Sequence, residues 1–197
     1  MTKLLYQGHG SYRFTANDGR IIYVDPYKGK GYDAPADIIL VTHQHHDHNK
    51  IERCAKKENC VIITNKEALK RRKHNSFDIN GIKILAVEAA NKRHDPKECV
   101  GYLIEIDGIR IYASGDTSKT KQMETFASFN LDYAFFPGDG IFNMGIKEAA
   151  ECAELVGAKH NFLVHLKPGE SYPKKFEKWT APYKLFCDAG EEIELKR

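Results

Sequence analysis

Four histidines fall within six residues of this sequence, in the segment His43-Gln44-His45-His46-Asp47-His48. The apolar residues just before the segment predict a strand over 37–42 that is buried on both faces. The histidines are therefore expected at the carboxyl end of a strand, which is where open α/β sheets bind ligands. Because residues i and i+2 of an extended segment face the same side, His43 and His45 can chelate one metal ion together. Asp47 and His48, at the start of a predicted helix, can face a second ion.

Strands and helices are mixed along the whole chain, which predicts an α/β layered domain. The 197 residues suffice for one domain with a hydrophobic core but not for two ordinary domains and a linker, so we expect a single domain over 1–197. Helices are predicted at 49–58, 66–73, 146–156 and 174–179. Strands are predicted at 4–6, 11–15, 20–24, 37–42, 60–64, 82–87, 100–106, 110–113, 131–136, 161–164, 184–186 and 192–195.

Composition and charge disfavour several classes of protein. Apolar runs are at most four residues long, which is too short to cross a membrane. The N-terminus lacks the apolar core of a secretory signal, so we expect a cytoplasmic location. The net charge of +3 is too small to indicate a nucleic-acid partner. Reduced, buried thiols are expected because no C-x-x-C pair occurs among the cysteines, which are Cys54, Cys60, Cys99, Cys152 and Cys187.

Residues 50–73 are the most basic part of the chain. They hold nine Lys or Arg against three Glu, and they end in Lys70-Arg71-Arg72-Lys73. A run of this kind is most often the solvated face of a helix. The alternative interpretation is a patch that steers an anionic ligand toward the protein.

The histidine segment, with Asp37-Ile38-Ile39-Leu40-Val41-Thr42 before it, resembles the signature of the metallo-β-lactamase-fold hydrolases. Gly8-His9-Gly10-Ser11 and Val24-Asp25-Pro26 resemble the opening of the branch that contains the ascorbate-phosphate lactonases and small metal-dependent hydrolases. Three later segments resemble the same family: Ser114-Gly115-Asp116-Thr117, Lys147-Glu148-Ala149-Ala150-Glu151 and Phe162-Leu163-Val164-His165. The resemblance runs in order from about residue 4 to residue 195. It implies a four-layer αββα sandwich, with two mixed sheets flanked by helices.

The resemblance also implies a site for two metal ions. The residues that resemble its ligands are His43, His45 and His94 for the first metal, Asp47, His48 and His165 for the second, and Asp116 as the bridging carboxylate. His94 is chosen because it lies between two predicted strands, as the family pattern requires. His74 is the substitute candidate for that position.

Imidazole and carboxylate ligands suit two divalent metal ions, Zn²⁺ first, with Mn²⁺, Fe²⁺ or Ni²⁺ as alternatives. A metal-bound water has a pKa of roughly 7, so a hydroxide held by both ions can attack a substrate at neutral pH. The site keeps a positive charge, which favours an anionic substrate. The sequence therefore predicts metal-dependent hydrolysis of a small ester-type molecule such as a lactone or a phosphodiester, with Asp47 and Asp116 as catalytic carboxylates.

Other functions of the same fold are weighed against this prediction. The chain is short for the extra domain of large nucleases, and the missing secretion signal disfavours an antibiotic β-lactamase. Di-iron oxygen reductases usually carry Glu where His45 stands and need a flavin domain. A mono-iron sulfur-oxidising enzyme would dispense with part of the second metal's ligands. A di-iron or mono-iron redox enzyme and a non-catalytic metal-bound regulator or scaffold stay as alternatives, and the oligomeric state is not predicted.

Several outer positions have two interpretations each. Asp25 is expected to orient a metal ligand, since ligating imidazoles need a second acceptor, or simply to end a strand before proline. His9 is expected near the pocket, as a substrate-binding or supporting group, or is structural. Asp139 is expected at the pocket rim or as a turn residue. Lys167 is expected to contact an anionic substrate or to be an ordinary exposed lysine of a loop. His46 is expected to point away from His45 and so not to bind metal. His160 is expected to have a structural role.

Overall fold

Two six-stranded mixed sheets dominate the computed structural model, which describes residues 1–166 and 172–197. The first sheet has the order β14-β1-β2-β3-β4-β5, from β1 (Lys3–Gly8), β2 (Ser11–Thr15), β3 (Ile21–Val24), β4 (Ala36–Leu40), β5 (Lys56–Ile63) and β14 (Glu192–Glu194). The second has the order β13-β12-β11-β10-β9-β8, from β8 (Ser76–Ile79), β9 (Ile82–Glu88), β10 (Val100–Ile106), β11 (Ile109–Ala113), β12 (Tyr133–Pro137) and β13 (His160–Val164). A small hairpin pairs β6 (Leu69–Lys70) with β7 (Lys73–His74).

The main core lies between the two sheets, because alternate residues of each strand face the opposite sheet. In β4, Ile38 and Leu40 belong to this core, whereas Ile39 packs with Val41 in a separate cluster on the outer face. The apolar run at this strand is continuous for that reason, as the sequence predicts. Phe135 from the second sheet stacks on Tyr12 from the first with ring centroids 4.4 Å apart, so aromatic rings join the two layers.

Helices cover the second sheet, and a thinner layer covers the first. Against the second sheet pack a 3-10 helix (Lys121–Phe129), α2 (Ile146–Val156) and α3 (Tyr172–Lys178). Gly157 ends α2 in the left-handed conformation with φ +69°, as its position in the sequence predicts. The predicted architecture of two mixed sheets flanked by helices is confirmed. No helix in the described ranges is long and apolar enough to span a membrane.

Two helix predictions are wrong, and both fall in the basic stretch. Residues 49–58 form only a 3-10 turn (Ile51–Arg53) before β5 begins at Lys56. Residues 66–73 form the end of a four-residue helix, α1 (Asn65–Ala68), and then the β6–β7 hairpin. β5 lies at the edge of the first sheet, where its charged side chains reach solvent while its backbone pairs with β4. Pairing with a neighbouring strand thus overrides the helical preference of Lys- and Glu-rich sequence.

Three further elements differ from prediction. The strand β8 and the 3-10 helix Lys121–Phe129 are not predicted, although Phe77 and Ile79 alternate in β8 and the helix buries Met123 and Phe126 on one side. Residues 184–186 make only a single bridge, from Lys184 to Asn161, instead of a strand. β2 and β10 have the predicted bounds, and the other observed strands that were predicted lie within two residues of prediction at each end, except β5, which begins four residues early.

Candidate metal centre

The chemically active side chains lie at one edge of the two sheets, on loops that follow strand ends. His9 follows β1, Asp25 follows β3, and the histidine segment follows β4. The loops after β9, β11, β12 and β13 carry His94, Asp116, Asp139 and His165 in the same way. Within each sheet these strands run in the same direction, so their carboxyl ends lie at one edge, and residues far apart in sequence converge there.

The first group of donors is formed by His43, His45 and His94. The Nε2 atom of His94 lies 3.2 Å from Nδ1 of His45, and the rings of His43 and His45 are 4.5 Å apart between centroids. Burial lowers the pKa of His43 to about 2, so its imidazole is neutral and its nitrogen is free to bind a metal ion. The structure places His94, and not the substitute His74, in this group.

The second group contains Asp47, His48 and His165, with His9 beside them. The Nε2 atom of His9 is 3.1 Å from Oδ2 of Asp47, and the His9 ring lies over the His165 ring with centroids 3.7 Å apart. His9 therefore positions the Asp47 carboxylate. Asp47 and His48 lie in a turn closed by the His48 backbone N–H donating to the carbonyl of His45, so the predicted helix start at this point is wrong.

Asp116 lies between the two groups. Its carboxylate oxygens are 3.3 Å from Nε2 of His48, 3.4 Å from Nε2 of His94 and 3.2 Å from Nε2 of His165. Burial opposes its charged form, but the imidazoles of His48 and His165 outweigh burial and hold the pKa of Asp116 well below its usual range. An ionised carboxylate thus faces nitrogens from both groups at once.

The donor set fits divalent metal ions. The donor atoms of each group lie within 4.8 Å of one another. Ring nitrogens of His43, His48 and His165 are buried and have no hydrogen-bond partner among the described residues, although carboxylate oxygens lie nearby. A buried polar atom without a partner is costly, and a metal ion would satisfy these nitrogens. Imidazole nitrogen and carboxylate oxygen without thiolate are the ligand types that suit Zn²⁺ and related ions.

Asp25 contacts the ring nitrogen of His48 that does not face Asp116. Its Oδ2 atom is 2.8 Å from Nδ1 of His48, and its two oxygens also accept hydrogen bonds from the backbone N–H and the hydroxyl of Thr42. Burial disfavours the charged form of His48, yet Asp116 and Asp25 raise the pKa of His48 well above its usual value. A carboxylate on one ring nitrogen orients the other nitrogen toward the centre.

A chain of polar side chains contacts the Nδ1 atoms of His165 and His94. Asp139 Oδ2 lies 3.3 Å from Nδ1 of His165, and it accepts a hydrogen bond from the amide of Asn143. The Asn143 oxygen accepts from the Asn91 amide, and Asn91 Oδ1 is 2.9 Å from Nδ1 of His94. Asp139 is therefore buried behind the centre and not at the pocket rim. Sequence reasoning missed Asn91 and Asn143, whose only signal is a polar side chain after a strand end.

Two glycines allow the backbone to approach the donors closely. Gly115 has φ +63°, and a Cβ atom there would lie 2.9 Å from Cβ of Thr42. A Cβ atom on Gly10 would lie 3.1 Å from Cε1 of His48. A larger residue at Gly115 would displace Thr42, which neighbours His43, and a larger residue at Gly10 would displace His48.

The other candidates lie apart from the centre. The His46 side chain is 79% exposed, and His160 stacks on Tyr133 with centroids 5.0 Å apart. His74 lines a neighbouring cavity, and Lys167 lies outside the described residues. All five cysteines are free, and none belongs to a donor group found among the described residues.

The sequence and the fold have counterparts in known proteins. A family model described as a beta-lactamase superfamily domain matches residues 3–164. A protein from Thermococcus onnurineus named "UPF0173 metal-dependent hydrolase" is 30% identical, over 100% of this chain and 97% of its own. A relative of the same description from Pyrococcus furiosus is 29% identical, over 99% of this chain and 100% of its own. The structure of Igni18, a metallo hydrolase from Ignicoccus hospitalis, shares the fold, with a TM-score of 0.78 and 20% identity over 99% of both chains. The chain belongs to the metallo-β-lactamase superfamily, among its metal-dependent hydrolases.

Proposed function

We propose that this centre holds two divalent metal ions, most simply Zn²⁺, and hydrolyses a small ester-type substrate such as a lactone or a phosphodiester. The ligands would be His43, His45 and His94 for one ion, Asp47, His48 and His165 for the other, and Asp116 for both. The observation that carries the proposal is the position of Asp116. Its carboxylate lies within 3.4 Å of imidazole nitrogens from both groups, as a shared ligand requires.

Two bound divalent ions would supply a water of lowered pKa as the nucleophile and a Lewis acid for the scissile group. The chain's own residues prepare the centre for that chemistry. Asp25 and Asp139 fix the orientation of His48 and His165, and Asn91 does the same for His94. His9 holds the carboxylate of Asp47, the ligand with the most exposed side chain after His45.

A cavity of about 690 Å³ opens onto the first donor group. This volume is in the range of sites that bind small molecules, roughly 300–1,000 Å³. His43, His45 and His94 line this cavity, and the charged residues of its lining are three cations and two carboxylates: Lys66, Arg93, Lys97, Asp95 and Glu98. The excess of one positive charge favours a substrate with negative charge, which agrees with an ester of phosphate or a carboxylate-bearing lactone.

The proposal is tested by replacing Asp47 with alanine and measuring hydrolysis of bis(p-nitrophenyl) phosphate and a set of lactones. Losing one ligand of the second ion is expected to lower kcat/KM by at least about a hundredfold, since metal stabilisation of the transition state amounts to several kcal/mol. The fold should persist, because the Asp47 side chain is partly exposed and lies outside the sheets.

Glu58→Ala is the matched control, because it removes an exposed carboxylate from the edge strand β5. Equal turnover by the Asp47→Ala and Glu58→Ala proteins would contradict a role for the second ion. Metal binding without hydrolysis of any of these substrates by the unaltered protein would favour a metal-bound regulator or scaffold instead.

A further inference from the structure

A second cavity, of about 560 Å³, adjoins the one above the metal centre. Leu69 and Lys97 line both cavities, so the two spaces share a wall. We call the second one the basic cleft, because its lining includes four cationic side chains, those of Arg72, Lys97, Lys119 and Lys121. These come from three separate parts of the chain: the β6–β7 hairpin, the loop after His94, and the segment after Asp116.

The cations of the basic cleft are not neutralised within the protein. In the parts of the chain that the structure describes, none of the four has a carboxylate within ion-pair distance. Glu88 is the one acidic residue in the lining. Four like charges around one concave space repel each other, and an anion placed between them would relieve that repulsion.

The β6–β7 hairpin carries its two arginines in a costly backbone conformation. Arg71 has φ +51° and Arg72 has φ +64°, which are values that glycine or asparagine adopts more easily. The hairpin register, Leu69 with His74 and Lys70 with Lys73, leaves these two residues at its tip. Residues held in strained conformations are often found at ligand sites, where the position of the side chain matters more than backbone strain.

Two neutral residues, His74 and Thr120, also line the basic cleft. The Nε2 atom of His74 and the hydroxyl of Thr120 are buried and have no hydrogen-bond partner among the described residues. Burial lowers the pKa of His74, so its ring is neutral at physiological pH and one nitrogen carries a proton to donate. A tetrahedral oxyanion can accept from the four cations of the cleft on several sides at once, whereas a planar carboxylate suits a single forked donor.

We propose that the basic cleft binds a phosphate-type group of the substrate, at a distance from the ester bond that is cleaved at the metal centre. This inference rests on the proposed function for the position of the cleaved bond, but the anion site itself does not depend on a bound metal. It narrows the substrate class to small molecules that carry a second, terminal phosphate. A longer polyanion such as single-stranded nucleic acid is the competing ligand that the test must separate.

The test is a calorimetric titration of the full-length protein with inorganic phosphate, once loaded with metal and once after chelation, at about physiological ionic strength. We expect saturable binding in both forms. The double variant Arg72→Gln/Lys121→Gln should bind phosphate at least about tenfold more weakly, because it loses two charge-assisted contacts. The control Lys178→Gln/Lys196→Gln removes the same charge from exposed lysines that line neither cavity, and should stay within about twofold of the unaltered protein.

Equal phosphate binding by the two double variants would overturn the proposal, as would binding seen only in the metal-loaded protein or no binding at all. Tight binding of a short single-stranded oligonucleotide without binding of phosphate would also overturn it, in favour of a polyanion. A failure of the proposed function is separately visible, because a protein that takes up no metal could still bind phosphate in the cleft.

Discussion

Replacing Asp116 by asparagine is expected to lower kcat/KM by at least about a thousandfold, which corresponds to about 4 kcal/mol of lost transition-state stabilisation. Asparagine keeps the size of the side chain but removes its charge and one of its two metal-binding oxygens. Since the carboxylate faces His48, His94 and His165 at 3.2–3.4 Å, both donor groups lose their shared ligand. Metal content and hydrolysis should therefore fall together.

The control for Asp116→Asn is Asp33→Asn, which makes the same chemical change at an exposed position. Circular dichroism of both proteins shows whether the sheets persist. Full activity in a folded Asp116→Asn protein would show that this carboxylate is not shared between two metal ions.

Replacing Asp25 by asparagine is expected to destabilise the metal-free protein by about 3–5 kcal/mol, as removal of one partner of a buried ion pair generally does. Asp25 is 1% exposed and accepts hydrogen bonds from two groups of Thr42 while facing Nδ1 of His48 at 2.8 Å. Asparagine tolerates the positive φ of this position, +45°. The lost stability therefore comes from removal of the charge and not from backbone strain. Urea unfolding measures the change.

Asp25→Asn should also weaken metal binding by about 10–100-fold, because His48 loses the acceptor that orients its ring. Asp18→Asn is the control, since Asp18 forms an exposed ion pair with Arg20 that contributes less than about 1 kcal/mol. Equal stability of the two variants would mean that Asp25 is a strand-ending residue without a role in the centre.

The sequence predicts the parts of the fold that local physics determines. Asp107-Gly108 form the turn between β10 and β11, with φ of +54° and +79°, as a two-residue hairpin loop requires. The amphipathic spacing of α2 and the glycine after it give both ends of that helix. The strand before the histidine segment follows from its apolar run.

Elements that depend on distant partners are not visible in the sequence. The apolar second half of β5 lies in the predicted strand 60–64, whereas its first half, residues 56–59, carries Lys and Glu and is a strand only in the folded sheet beside β4. Asn91 reaches His94 locally, but the residue that holds Asn91, Asn143, lies 52 positions further along the chain. The type of metal donor could be predicted from the histidine segment, whereas the supports behind the donors follow only from the folded structure.

Residues 50–73, the basic stretch, fold differently from what their charge pattern favours. The charge pattern of residues 50–73 favours a solvated helix face, yet those residues contribute an edge strand and a hairpin. Arg72 and His74 bring that hairpin to the side of the cavity above the metal centre. Part of the basic stretch thus lies where it could bind the proposed anionic substrate.

Whether one edge of this sandwich holds two metal ions is measured most directly by the metal content of each chain. Inductively coupled plasma mass spectrometry would be applied to protein purified without added metal, and again after Zn²⁺, Mn²⁺ and Fe²⁺ are offered and the excess removed. We predict about two divalent ions per chain, with Asp116→Asn holding fewer than about one. A chain that holds a single ion, or none after metal is offered, would contradict the account.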